Sequence, residues 1–77
     1  MTSIMIYEII KDSVSHYIGR DYTDTTNLLG ITSVRNIIYI LTDLENKIGF
    51  KINDSFISET KDFTVENLTR LIPNYLV

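Results

Sequence analysis

Apolar residues recur with the spacing of an α-helix in three parts of the chain. The first part carries Tyr7, Ile10, Val14, Tyr17 and Ile18. We expect Thr2 or Ser3 to cap this first helix and Gly19 to end it, because hydroxyl side chains favour the start of a helix and glycine its end. Residues 20–32 lack this periodicity, and their Asp- and Thr-rich composition predicts a long surface loop.

A second helix is predicted from about Ser33 to Ile48, with Gly49 as its terminator. At about 100° per residue its apolar positions fall on one broad face. That face consists of Val34, Ile37, Ile38, Leu41, Leu44 and Ile48. The opposite face is expected to carry Arg35, Tyr39, Thr42, Asp43 and Asn46.

The last third of the chain predicts a short turn and a final helix. Asp54 can cap the turn, which holds Phe56 and Ile57. Thr64 is expected to cap the final helix, and Pro73 to end or kink it. Its apolar positions are Val65, Leu68, Leu71 and Ile72, and Tyr75 and Leu76 could extend it. The β-branched content would also tolerate strands, but the helical spacing favours an all-α fold. We expect a small antiparallel bundle of three longer helices plus one short helix, with a long loop between helices one and two.

Length, composition and charge narrow the class of protein. With 77 residues, of which 44% are apolar, the chain is expected to form one globular domain over residues 1–77. It contains no cysteine, which excludes a disulfide or a thiolate metal site. The net charge of −3 argues against nucleic acid as a partner, because phosphates repel an acidic surface. No apolar run reaches the ~18 residues of a membrane span, and the acidic start is unlike a signal peptide, so we expect a cytoplasmic protein.

Few side chains suggest chemistry. His16 is the sole histidine and is expected on a helix face. Asp21 and Asp24 lack the ligand spacing of a calcium loop, so we expect solvated carboxylates and no metal site. Ser33 stands where the long loop meets the second helix, in the stretch LGITSVR. A serine there is most often only a helix cap, but its hydroxyl is also expected to face solvent, where it could carry a covalent group.

The order of these motifs resembles that of acyl carrier proteins and of the free-standing peptidyl or aminoacyl carriers of peptide synthetases. The resemblance covers nearly the whole chain and is carried by LGITSV at 29–34, IGFKI at 48–52 and FTV at 63–65. It implies that Ser33 carries 4′-phosphopantetheine, derived from coenzyme A, whose thiol holds an acyl or aminoacyl group as a thioester. It also implies that the chain is not an enzyme but a substrate of other enzymes.

The resemblance further implies three kinds of partner for a monomeric carrier. A phosphopantetheinyl transferase attaches the group, an adenylating or acyl-transferring enzyme loads it, and synthases of fatty-acid, polyketide or non-ribosomal peptide biosynthesis take the cargo. Carriers of this family meet their enzymes through the second helix and the preceding loop, here Thr32, Val34, Arg35, Tyr39 and Thr42. Many fatty-acid carriers are acidic along that strip, whereas Arg35 makes it mixed, which favours a dedicated carrier of a specialised pathway.

Two features depart from the family pattern. Thr32 stands where most members have aspartate. Aligned on the serine without a gap, the pattern would turn Asp43 and Lys47 into the core, so the apolar positions require a slip of one residue between Ser33 and Ile38. Either the second helix begins with an extra residue, or Val34 occupies the serine position and Ser33 is only a cap.

Three functions are therefore compatible with the sequence. The first is a stand-alone carrier modified at Ser33. The second is an unmodified carrier-like bundle that acts as a protein–protein interaction module. The third is a small helical DNA-binding regulator, which the acidic balance and the lack of a basic helix disfavour.

Overall fold

Four α-helices follow one another in the computed structural model, which describes residues 2–76. They are α1 (Ser3–Ile18), α2 (Val34–Leu44), α3 (Asp54–Glu59) and α4 (Val65–Leu71). A 3₁₀ turn at Leu28–Gly30 precedes α2, a π-helical segment at Glu45–Gly49 continues it, and a 3₁₀ turn at Ile72–Tyr75 continues α4. Residues 2–76 contain no β-strand, so the prediction of a small all-helical fold is confirmed. None of the helices described is long and apolar enough to cross a bilayer.

Each α-helix begins at a side chain that accepts a hydrogen bond from an amide of the first turn. Three of these caps, Thr2, Ser33 and Thr64, agree with the sequence prediction. The cap of α3 does not, because Asn53 takes the place expected for Asp54. Asn53 has the extended backbone of a cap and its Oδ1 accepts from the amide of Phe56 at 2.9 Å, while Asp54 is already the first helical residue.

Glycine and proline end the helices as predicted. Gly19 ends α1 with a φ of +94°, and Gly49 ends the π-helical segment with a φ of +85°. Glycine reaches this left-handed region without the steric cost that a side chain brings. Pro73 lies in the first turn of the 3₁₀ segment that follows α4, so regular α-helical geometry stops just before it.

One core is shared by α1, α2 and α4, and the shorter α3 closes it through an aromatic contact. The ring of Phe56 lies 5.5 Å from that of Phe50 and 5.2 Å from that of Tyr75. The other buried apolar residues are Ile6, Ile10, Val14, Leu28, Ile37, Ile40, Leu41, Leu44, Ile48, Val65, Leu68, Leu71 and Ile72. An antiparallel bridge between Phe50 and Leu76 ties the segment after α2 to the end of the described chain.

The buried face of α2 differs in part from the predicted one. Val34 and Ile38 were expected in the core but are 63% and 55% exposed, whereas Ile40 is 1% exposed. The core-facing residues of α2 are spaced three and four apart from Ile37 onward. Val34 and Ile38 lie beside that stripe and border a groove described below.

The irregular part of the second helix lies at its far end from Ser33. The helix is regular from Val34 to Leu44, so the slip of one residue expected between Ser33 and Ile38 is not a break in helical geometry. From Glu45 to Gly49 it is π-helical, with hydrogen bonds from i to i+5 instead of i+4. Regular α-helical geometry is therefore lost only where the second helix meets the Phe50 segment.

Candidate functional site

The chain that leads to Ser33 is fixed by a buried leucine. Leu28 is 1% exposed, and its amide donates to the carbonyl oxygen of Phe63 at 2.8 Å. Its own carbonyl oxygen accepts from the amides of Ile31 and Thr32 at 3.2 and 3.1 Å. The predicted surface loop over 20–32 is thus wrong at Leu28, whose side chain belongs to the core and holds the backbone up to the residue before Ser33.

Ser33 caps α2 and is exposed to solvent. Its backbone is extended, with φ −79° and ψ 158°, and its Oγ accepts from the amide of Asn36 at 3.3 Å. That bond is long for an N–H···O contact, and no other group within residues 2–76 hydrogen-bonds this hydroxyl. The side chain of Ser33 therefore caps the helix and still presents its hydroxyl to solvent. The adjacent Val34 is also exposed but has no nucleophilic atom.

Asn36 makes two hydrogen bonds across the start of α2. Its amide donates to Ser33 Oγ, and its Nδ2 donates to Thr32 Oγ1 at 2.8 Å. Thr32, expected to face a partner, is half-buried and turns its hydroxyl onto the first helical turn. Asn36 was not among the predicted site residues, although two hydrogen-bonding side chains four residues apart at a helix start are a recognisable signal.

The other predicted partner residues share one exposed surface of α2. Val34, Arg35, Tyr39 and Thr42 are all exposed. Arg35 is the only charged residue between positions 25 and 42. The sequence around Ser33 is therefore locally basic and apolar within an acidic protein.

Asp43 was expected on that exposed surface but is half-buried against α1. Its Oδ2 accepts from the buried Ser13 hydroxyl at 2.7 Å and lies 3.1 Å from Lys47 Nζ. These contacts, the Ser13 hydrogen bond first, lower the pKa of the Asp43 carboxyl. Asp43 therefore joins α1 to α2, while Asn46 remains exposed as predicted.

An apolar groove of about 390 Å³ lies beside the first turn of α2. Leu29 and Val34, on either side of Ser33 in the sequence, line one part of it. The remaining lining residues come from α2, α3 and the segments that flank α3, and are Ile37, Ile38, Leu41, Thr42, Ile52, Ile57 and Phe63. Apart from the Thr42 hydroxyl, every lining side chain is apolar, so the groove suits an apolar group rather than a charged one.

The middle of the long loop is attached to α1 through Asp24. This carboxylate was expected to be solvated, but it accepts from the Tyr7 hydroxyl at 2.7 Å and from Lys11 Nζ at 3.1 Å. The Tyr7 hydrogen bond and then the Lys11 contact lower the pKa of Asp24. The carbonyl oxygen of Asp24 also accepts from the amide of Glu66, which connects the loop to α4. Asp21, in contrast, is exposed.

His16 lies on the exposed face of α1, where its ring meets that of Tyr17 edge to face at 5.0 Å. Over residues 2–76, no three His, Asp or Glu side chains come together as a metal site would require.

Comparison with known proteins provides no relative from which a function could be transferred. No protein-family model, no curated protein and no solved structure matches the chain.

Proposed function

We propose that this chain is a stand-alone carrier protein that holds an acyl or aminoacyl group on 4′-phosphopantetheine attached to Ser33, within the small antiparallel bundle typical of such carriers. The observation that carries the proposal is the exposed Ser33 hydroxyl at the start of the 11-residue α2, inside the carrier-like stretch LGITSV. The chain has no cysteine, so the thiol of a thioester carrier has to come from an attached group.

The chemistry at Ser33 is a phosphoryl transfer from coenzyme A, catalysed by a phosphopantetheinyl transferase. Ser33 Oγ attacks the phosphorus that bears the pantetheine, its P–O bond forms, and the bond to the second phosphate breaks. Adenosine 3′,5′-bisphosphate leaves, and the hydroxyl proton passes to a base on the transferase. The phosphodiester places one negative charge beside the first amides of α2 and Arg35, both of which favour an anion. When attached, the group supplies the thiol that holds the cargo.

The apolar groove lined by Leu29 and Val34 supports an apolar acyl group as the cargo. Its apolar lining could shield such a group from water, whereas the ammonium group of an aminoacyl thioester would lose hydration there without a charged partner.

Intact-mass spectrometry tests the proposal. The purified protein is incubated with coenzyme A and a broad-specificity phosphopantetheinyl transferase, and we expect the mass to rise by one phosphopantetheine group. Ser33→Asp should abolish the gain while keeping the helix cap, because aspartate caps as well as serine. Ser55→Ala, which removes an exposed serine of α3, should leave the gain intact.

A folded wild-type protein that gains no mass would contradict the proposal and favour the second candidate, an unmodified interaction module. The observation in favour of that candidate is the exposed apolar surface formed by Val34, Ile38 and Ile57. The double variant Ser33→Ala with Val34→Ser tests the alternative alignment. If it gains mass where Ser33→Ala does not, a hydroxyl at position 34 can also be modified.

A further inference from the structure

We propose that Thr32 and Asn36 form a positioning pair that sets the direction of the Ser33 hydroxyl for its modification, an inference that rests on the proposed function of Ser33. Neither residue is assigned a direct role in the reaction. Both act through the backbone and the Oγ atom of Ser33. The Thr32–Asn36 hydrogen bond spans Ser33 at 2.8 Å, shorter than the 3.3 Å bond that holds Ser33 Oγ itself.

Ser33 lies between two fixed points on the chain. Before it, the amide of Thr32 donates to the carbonyl oxygen of the buried Leu28, which holds the backbone of residue 32. After it, Asn36 belongs to the first turn of α2, next to the buried Ile37. The side-chain bond between Thr32 and Asn36 joins these two points directly. The peptide of Ser33 is therefore held at both ends, and its hydroxyl direction depends on this bridge.

The bridge matters because helix ends fray and because phosphoryl transfer requires an aligned nucleophile. The amide of Asn36 donates to Ser33 Oγ only while the first turn of α2 is formed. If the turn opens, Ser33 Oγ loses this bond and samples several rotamers. The Thr32–Asn36 bond opposes that opening without using either the proton or the remaining lone pair of the Ser33 hydroxyl.

Steady-state kinetics of the transferase reaction, followed by intact mass, test the pair. Thr32→Val removes the accepting oxygen but keeps the branched shape, and Asn36→Ala removes the Nδ2 donor but keeps the amide that reaches Ser33. For each we expect kcat to fall about three- to tenfold, the effect of one lost hydrogen bond, with little change in KM for the carrier. Thr32→Ser restores the hydroxyl and should restore kcat.

A double-mutant cycle and an amide measurement separate positioning from a general loss of stability. The variant with both substitutions should be no slower than the slower single variant, because the two changes remove the same bond. Amide hydrogen exchange at Asn36, measured by NMR on the unmodified protein, should accelerate in Thr32→Val and return in Thr32→Ser. The matched control is Thr69→Val, which removes a threonine hydroxyl that donates to the carbonyl oxygen of Val65 at 2.8 Å on α4, and it should leave kcat unchanged.

Three results would overturn the inference: wild-type kcat in Thr32→Val, a Thr32→Ser variant as slow as Thr32→Val, or additive effects in the double variant. If the wild-type protein is modified and any of these results is obtained, the positioning role of Thr32 and Asn36 is refuted, but the proposed carrier function is not. A wild-type protein that gains no mass removes both proposals together.

Discussion

Truncation of Leu28 should show how strongly the end of the long loop is fixed to the core. In Leu28→Ala, the lost side chain is 1% exposed and lies among core residues, so the substitution removes buried apolar surface and leaves a cavity. A buried leucine replaced by alanine costs about 2–5 kcal/mol in free energy of unfolding. A 77-residue domain has a total of about 4–12 kcal/mol, so this one change removes a large share of it.

Leu29→Ala is the matched control, because the neighbouring leucine is 41% exposed and carries the same side chain on the same 3₁₀ turn. It should cost less than about 1 kcal/mol, since much of its surface is already in water. Urea unfolding of both variants, followed by circular dichroism, gives the two free energies from the midpoints and slopes. By thermal unfolding, Leu28→Ala should lower Tm by at least about 10 °C.

Equal losses in the two leucine variants would refute the reasoning, because they would mean that the two side chains are buried to a similar degree. A loss of unfolding free energy below about 1 kcal/mol for Leu28→Ala would also refute it, because a leucine buried in the core costs more than this when it is truncated. The expected result also has a consequence for Ser33. If Leu28 fixes the backbone before it, amide exchange of Ile31 and Thr32 should accelerate in Leu28→Ala and stay slow in Leu29→Ala.

Three further predictions concern a carboxylate, a cap and a glycine. Because the folded pKa of Asp24 is lowered, its ionised form stabilises the fold above its ordinary pKa of about 3.9, and this contribution disappears as the pH falls through the lower folded value. Asp24→Asn should therefore cost less than about 1 kcal/mol at pH 7, and in a pH series of urea midpoints this difference should shrink as the pH falls below the ordinary pKa of an aspartate; a constant difference at all pH values would contradict this. Asn53→Ala should lower the unfolding free energy by about 1 kcal/mol and Asp54→Ala by less, an order that reverses if Asp54 is the cap. Gly49→Ala should cost about 1–2 kcal/mol by urea unfolding because of its positive φ, and no loss would exclude that conformation.

Local rules predicted most of the helices and their ends. The caps Thr2, Ser33 and Thr64 and the stops Gly19 and Gly49 depend on interactions within a few residues, which the sequence displays directly. The exposed position of Ser33 at the start of a helix was predicted on the same basis.

Long-range contacts account for what the sequence could not predict. Leu28 lies in a stretch whose polar composition predicts a loop. Its burial in the core and the hydrogen bond from its amide to the carbonyl oxygen of Phe63 involve residues distant in the sequence. Asp43 was predicted to be a surface carboxylate, because the sequence does not show that it accepts a hydrogen bond from the buried hydroxyl of Ser13, thirty positions away. Ile38 is exposed and Ile40 is buried because of the side of α2 that packs against α1. A broad apolar face in the sequence does not determine which part of it is buried.

The π-helical segment also determines where the chain can be shortened. Deleting one exposed residue there, such as Asn46, can return the turn to ordinary α-helical hydrogen bonding and keep the residues on both sides in their present contacts. The same deletion inside Val34–Leu44 would rotate every later side chain of the helix by about 100°, and would turn its buried face away from α1. Length variation in natural or designed versions of this fold should therefore be tolerated at the end of the second helix and rejected in its middle.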